Sequence, residues 1–343
     1  MFKMSAVLTI ILCLVPLCGF GNQAEGWEAY KKKFISEDGR VIDYFQSSMS
    51  HSEGQGYGLL LALMSGDRNT FDRVLRWSVD NLQIRRDALF AWAWGKRHNG
   101  SWAVIDYNNA SDGDVLIALA LVNAARKWNH EPYMILAKNI IKDLRTLLAY
   151  HQNDNSMLLP GYYGFEEKSG VVLNTGYLIL PAFSRFSAVD DAKFWIAIYN
   201  DSLKILKKAS FSRFQLPSDW IRIDNGNVSV FTPKSSYFGY EAIRIPLYMT
   251  WDDNREQLKS FSSYLQFVMK SNYLPNRVNL IEGSVSVDEA PAGFYAVFGR
   301  CAELLEKKEL SRKLFKEANN KLSHESNDYF SHTLYLLSKL KLD

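Results

Sequence analysis

Pro132-Tyr-Met-Ile-Leu-Ala-Lys-Asn-Ile-Ile-Lys-Asp-Leu-Arg-Thr-Leu-Leu-Ala-Tyr150 carries the clearest periodicity in this 343-residue chain. Leu136, Ile140, Leu144 and Leu148 recur every fourth residue and so share one face of an α-helix. Pro132 fits near the first turn, where its missing N–H costs nothing. The same period returns at 27–34, 54–65, 70–81, 114–128, 177–186, 192–209, 242–251, 257–269, 294–307, 311–322 and 328–340. Pro246 is expected to end or kink the 242–251 helix. Strand-like alternation is scarce, and 227–232 is its best short example. No Gly/Ser/Pro linker divides the chain and no repeat is exact, so a dozen helices belong to one continuous domain. Hairpins closed into a toroid, or stacked as an open solenoid, satisfy that pattern. The loops at 152–176, 211–239 and 271–293 are long and rich in Tyr, Trp, Asp and Asn, which marks a working face.

Composition narrows the function. The chain holds 40 Lys+Arg against 37 Asp+Glu and is 47% hydrophobic, which excludes a disordered chain and an electrostatic nucleic-acid binder. The runs Lys31-Lys32-Lys33 and Lys207-Lys208 are too short for a polyanion site and read as solvated helix faces. Aromatic residues reach 14%, with nine Trp, a content that suits stacking on flat, ring-shaped ligands as well as a core.

Residues 1–21 carry Lys3 and then an apolar run from Ala6 to Phe20, shorter than the roughly 20 apolar residues a spanning helix needs. With small residues Gly19 and Gly21 they read as a secretory signal cleaved near Gly21, leaving 22–343 as a single domain in the periplasm or outside the cell. Its removal takes Lys3 and lowers the net charge from +3 to +2. Cys13 and Cys18 leave with it. Cys301 then has no intrachain partner and, among Phe298, Ala302 and Leu305, reads as a buried structural thiol.

Three acidic positions stand out, each at a helix start. Glu53 lies in His51-Ser52-Glu53-Gly54-Gln55-Gly56-Tyr57-Gly58 and has capping-box spacing from Ser50. The three glycines weaken the helix and suggest room for something large to approach the backbone. Asp112 lies in Ala110-Ser111-Asp112-Gly113-Asp114, where Ser111 and Asp114 have capping spacing and Asp112 is the surplus acid. Glu241 lies in Tyr240-Glu241-Ala242-Ile243-Arg244, where an ordinary ion pair with Arg244 is the simplest explanation. Each is therefore either a helix-end device or a catalytic acid.

Other chemistries find no support. The six His form no metal-ligand cluster, no G-x-S-x-G elbow, Walker loop or dinucleotide fingerprint occurs, and the Gly54–Gly58 run has no Lys for phosphate. No metal or cofactor is expected. Spread carboxylates and abundant aromatics point to glycoside hydrolysis, which needs two acids and sugar-stacking surfaces.

Ser52-Glu53-Gly54-Gln55-Gly56-Tyr57-Gly58 and Ala110-Ser111-Asp112-Gly113-Asp114, the latter followed by Ile117-Ala118, Ala124 and Trp128, resemble the two signatures of family 8 glycoside hydrolases. The likeness continues through Gly39-Arg40-Val41-Ile42-Asp43, Ala91-Trp92-Ala93-Trp94-Gly95-Lys96, Ser156-Met157-Leu158-Leu159-Pro160-Gly161 and Ser218-Asp219-Trp220. It is strongest toward members that accompany bacterial cellulose synthesis. The resemblance implies an all-α (α/α)6 barrel and endo-hydrolysis of β-1,4-glucan with inversion. It makes Glu53 the general acid and assigns Asp112 to holding the distorted sugar. Glu241 falls where the family's cellulases carry a general-base aspartate, three residues before the arginine matched by Arg244.

Glu241 is also the departure, because the family pattern is Tyr-Asp-Ala-x-Arg. An inverting pair stands about 6.5–9.5 Å apart to admit one water, and one extra methylene moves a carboxylate by about 1.5 Å. A catalytically weak glucan-binding protein, or a hydrolase of another β-1,4 polymer such as chitosan or xylan, is the alternative. Glu53 must carry its proton near neutral pH, which asks for an apolar or anionic setting. Tyr57, Trp94, Trp102, Tyr240 and Arg244 are the substrate-binding candidates, with Asp219 and Trp220 as further cleft residues and Glu166 and Glu167 as reserve bases. The expected partners are a β-1,4-glucan chain and the cellulose synthase complex, with no nucleic acid and no membrane after signal cleavage.

Overall fold

The computed structural model describes residues 20–152, 155–252 and 255–342. Thirteen α-helices are described: α1 (Phe20–Phe34), α2 (Ser52–Met64), α3 (Arg68–Asn81), α4 (Ser111–Lys127), α5 (Glu131–Leu148), α6 (Leu180–Phe186), α7 (Ala192–Lys208), α8 (Arg244–Trp251), α9 (Arg255–Leu258), α10 (Ser262–Ser271), α11 (Ala292–Leu304), α12 (Lys308–Leu322) and α13 (Tyr329–Leu337). The expected signal up to residue 19, with Cys13 and Cys18, lies outside the described residues.

Two kinds of helix alternate. In α2, α4, α8 and α11 nearly every residue is buried, whichever way it points. A helix apolar on all sides belongs inside a larger body. With α6 and α13 these helices pack in the order α2, α4, α6, α8, α11, α13, and α13 returns to α2, so six inner helices close a ring. Behind them stand α3 on α2, α5 on α4, α7 on α6, α9 on α8, α12 on α11 and α1 on α13. The result is an (α/α)6 barrel. Outer helices bury one stripe only: α5 buries Tyr133, Ala137, Ile140, Ile141, Leu144 and Leu148, with Leu136 at its margin. Each such buried aliphatic side chain contributes about 1.5–3 kcal/mol.

Pro246 neither ends nor kinks its helix. It sits in the first turn of α8, where the backbone N–H it lacks has no intrahelical partner in any case. Ten short strands were less visible from sequence. They form four antiparallel sheets: β1 (Ser50–His51), β2 (Ala91–Lys96) and β3 (Trp102–Asn109); β4 (Ala149–Gln152) with β5 (Asn155–Leu158); β6 (Gly170–Asn174), β7 (Trp220–Asp224) and β8 (Asn227–Val230); and β9 (Tyr237–Phe238) with β10 (Val278–Asn279). The expected strand at 227–232 is β8. Strands β1, β3 and β6 lead directly toward the starts of α2, α4 and α6, so the sheets border the end of the barrel where the inner helices begin.

Candidate active site

The N-termini of α2, α4 and α8 meet, and their acidic residues converge on one cation. Arg244 opens α8, is only 3% exposed, and spreads its guanidinium among three carboxylates. Its Nη1 donates to Glu53 Oε1 and, at 3.0 Å, to Asp112 Oδ2, while Nη2 donates to Glu241 Oε2. Its Nε donates to the Glu241 carbonyl at 3.2 Å, and its guanidinium lies 5.4 Å from the Tyr177 ring centre. A planar fork of five donors suits such divided binding, and lysine has no equivalent.

The close approach of α2 and α4 is written in glycine. A Cβ on Gly113 would fall 2.1 Å from Ser52 Oγ and 2.7 Å from the Glu53 nitrogen. One on Gly56 would fall 2.6 Å from the Leu116 Cβ. What approaches the backbone at Gly56 is therefore the neighbouring helix α4, while Gly54 faces Tyr329 and Gly58 faces Val41. The caps differ from expectation too. α2 is capped by His51, whose Nδ1 accepts from Gly54 N at 3.0 Å, while Ser50 Oγ donates to the Val41 carbonyl. α4 has no side-chain cap. Asp114 turns inward instead and accepts from Phe90 N and Asn109 Nδ2, both at 2.8 Å.

Exposure separates the three acids. Asp112 is 1% exposed, whereas the side chains of Glu53 and Glu241 are 19% and 36% exposed and line an open cleft of about 310 Å³. The cleft is lined as well by Tyr240, Phe330, Tyr329, Asp43, Phe45 and His51. Burial, reinforced by the charge of Glu53, raises Asp112 above the usual carboxylate range. Glu53 and Asp112 share one guanidinium nitrogen, Arg244 Nη1. Burial alone would weaken the charge on Arg244, but Glu53 and the neighbouring hydroxyls and acid hold it well above its ordinary value.

Glu241 lies in the turn before α8, and Asn174 at the end of β6 fixes its carboxylate by donating to Oε2 at 2.8 Å. Asp219 holds that turn. It is buried and accepts from Gly239 N and Ala242 N at 2.9 Å and from Ser235 Oγ at 3.0 Å. Its acceptor capacity is spent on the scaffold, which removes it as a cleft acid.

A family model for glycosyl hydrolases family 8 matches residues 2–342. The chain belongs to that family. A probable endoglucanase of Novacetimonas hansenii is 34% identical over 80% of this chain and 80% of its own. The endoglucanase of Escherichia coli (strain K12) is 32% identical over 85% and 82%. Among solved structures, an endo-β-1,4-glucanase from Acetobacter xylinum matches with a TM-score of 0.81 and 33% identity, covering 92% of this chain and 96% of that one.

Within this family 8 chain, the expected residues divide. Glu53, Asp112, Glu241, Arg244 and Tyr240 come together. Tyr57 does not face substrate: it is fully buried, with its hydroxyl 2.9 Å from that of Tyr248. Arg244 binds carboxylates rather than offering a free donor face to sugar. Trp94 stacks on Trp102 at 5.2 Å, and Arg40 lies against both rings, so Trp94 is support and Trp102 keeps the exposed surface. Trp220 stacks on Phe165 with Lys234 4.0 Å from its ring centre. Glu167 pairs with Arg222 at 2.9 Å, and Glu166 bridges Val171 beside β6. Asn174, Tyr177 and the pair Asp43–His51 were not singled out from sequence. Asn174 and Tyr177 lie in no motif and meet partners distant in the chain, whereas Asp43 and His51 stand inside quoted motifs whose spacing does not reveal that they pair.

Proposed function

We propose that this protein is an inverting endo-β-1,4-glucanase acting on cellulose during bacterial cellulose synthesis. The observation that carries the reading is the convergence of Glu53, Asp112 and Glu241 on Arg244 at the floor of an open cleft. Glu53 is the general acid that protonates the leaving glycosidic oxygen. Glu241 is the base that takes a proton from the water attacking the opposite face of the sugar. Asp112, buried behind them, holds the distorted sugar. Tyr240 and Trp102 present exposed rings for stacking. The names of the relatives support the substrate class.

Residues 1–21 serve as the export signal and 22–343 form one catalytic domain in the periplasm or outside the cell. No described helix is long and apolar enough to cross a membrane. The synthase complex is the proposed source of the glucan chain. The binding-protein alternative keeps one observation in its favour: the long Glu241 side chain folds back onto Arg244. A reducing-sugar assay on soluble carboxymethyl cellulose decides between them. The enzyme liberates new ends, while a binder only slows in gels containing the polymer.

A further inference from the structure

The loop at 271–293 has the composition of a working face, yet none of its residues lines the cleft. We infer that this loop forms a second glucan subsite beside the cleft, where Arg277 and Asp288 hydrogen-bond the hydroxyls of sugars lying beyond Tyr240.

The loop is built onto the segment that delivers Glu241. β10 pairs with β9 in the register Val278↔Phe238 and Asn279↔Tyr237, so the next residues, Arg277 and Gly239, stand opposite each other. Gly239 directly precedes Tyr240 and Glu241. The loop then folds back on itself. Asn276 N donates to the Asp288 carbonyl and Ser286 N to the Arg277 carbonyl, both at 3.0 Å, and Asn279 N donates to the Ser284 carbonyl at 2.9 Å. Gly239 leaves room for the arginine stem, since a Cβ there would stand 3.4 Å from Arg277 Cγ and 3.1 Å from Asp219 Oδ2. The guanidinium lies against two rings, 5.7 Å from the centre of Tyr237 and 5.5 Å from that of Tyr240. Tyr240 lines the cleft, while Arg277 and Tyr237 line a separate open hollow of about 290 Å³. The two spaces therefore adjoin at this stack.

The chemistry of the hollow fits a neutral polyol. Its charged groups are Arg277, Glu282 and Asp288, so two carboxylates repel a polyanion and the guanidinium repels a polycation. Among the described residues, neither the Arg277 guanidinium nor the Asp288 carboxylate makes a hydrogen bond or ion pair. A fork of N–H donors and a pair of acceptor oxygens are thus left for neighbouring hydroxyls. Tyr237 and Tyr240 add ring faces for the C–H surface of a pyranose. The volume stands at the lower end of small-ligand pockets, which begin at about 300 Å³.

The inference rests on the reading of the cleft as a glucan site, and its test separates binding from turnover. Thio-linked cello-oligosaccharides bind without being cleaved. Calorimetric titration of the full chain should show thio-cellohexaose binding more tightly than thio-cellotetraose. Arg277→Met keeps the apolar stem beside the two rings. It should weaken the hexaose by about tenfold, the loss expected for a hydrogen bond from a charged donor, with little change for the tetraose. Asp288→Ala should act with the same selectivity. Equal loss for both lengths would make Arg277 a prop for Tyr240 and overturn the proposal. No loss in either variant, or no advantage of the hexaose in the parent, overturns it as well. A parent that shows the advantage but frees no reducing ends from carboxymethyl cellulose would sink the hydrolase reading and leave the subsite standing. Hydrolysis without the advantage would sink the subsite alone.

Discussion

Glu241 carries one methylene more than the aspartate its family pattern contains, and the structure shows where that length goes. The carboxylate reaches Arg244 and is pinned by Asn174. Glu241→Ala should therefore lose nearly all turnover, with partial rescue by azide, which can act as a small replacement nucleophile. Glu241→Asp should fall by about tenfold or more, since an error of about 1 Å in placement is that costly. Near-normal hydrolysis by the Ala variant would remove Glu241 as base, and Asp219 could not replace it, being buried and committed to backbone amides. Glu53→Gln should reduce turnover by about 10²–10⁴-fold while glucan binding in affinity gels persists. Retained turnover contradicts the acid assignment. Glu53, Asp112, Glu241 and Arg244 were legible because each lies in a dense local motif. Asn174 was not, since 67 residues separate it from the carboxylate it orients.

At the level of elements, the decisive feature is the contact between the starts of α2 and α4. Gly113→Ala forces a methyl into Ser52 and the Glu53 backbone, so it should cost about 1–3 kcal/mol of stability. It should also lower kcat by moving Glu53 relative to Asp112. Thermal melts and turnover of the same preparation test both, and an unchanged pair of values contradicts the packing described. Asp114 links α4 to the segment entering β2, and burial pushes it up to about 7 from 3.8, against the hydrogen bonds from Asn109 and Phe90. A folded-state value above the unfolded one means the native protein binds more protons. The stability this contributes is complete below about pH 4 and is lost as pH rises toward 7. Asp114→Asn should be less stable overall but show a smaller fall in melting temperature between pH 5 and pH 7 than the parent. Equal slopes would place the ionisation elsewhere. The helices that carry these contacts were readable from apolar periodicity. The caps were not, because a Ser-x-x-Glu spacing does not say whether Ser50 or His51 faces the free amides.

For the whole molecule, the ring of six inner and six outer helices follows from a simple alternation. Helices buried on all sides alternate with helices buried on one, and the closing contact of α13 with α2 brings the chain's first and last quarters together. The dozen periodic segments held that count, but periodicity alone could not choose a closed toroid over an open solenoid. Only the return of α13 to α2, and the family resemblance, do so. Among the strands, β1, β9 and β10 escaped because they are two residues long, too short to show alternation. They matter for function all the same, since they border the cleft end. The central claim is that this barrel holds an inverting acid–base pair. The direct measurement is proton NMR of the anomeric signals during the first minutes of cellopentaose cleavage. New reducing ends should appear as the α-anomer and only later mutarotate to the mixture. First appearance of the β-anomer, or no cleavage at all, would contradict the account.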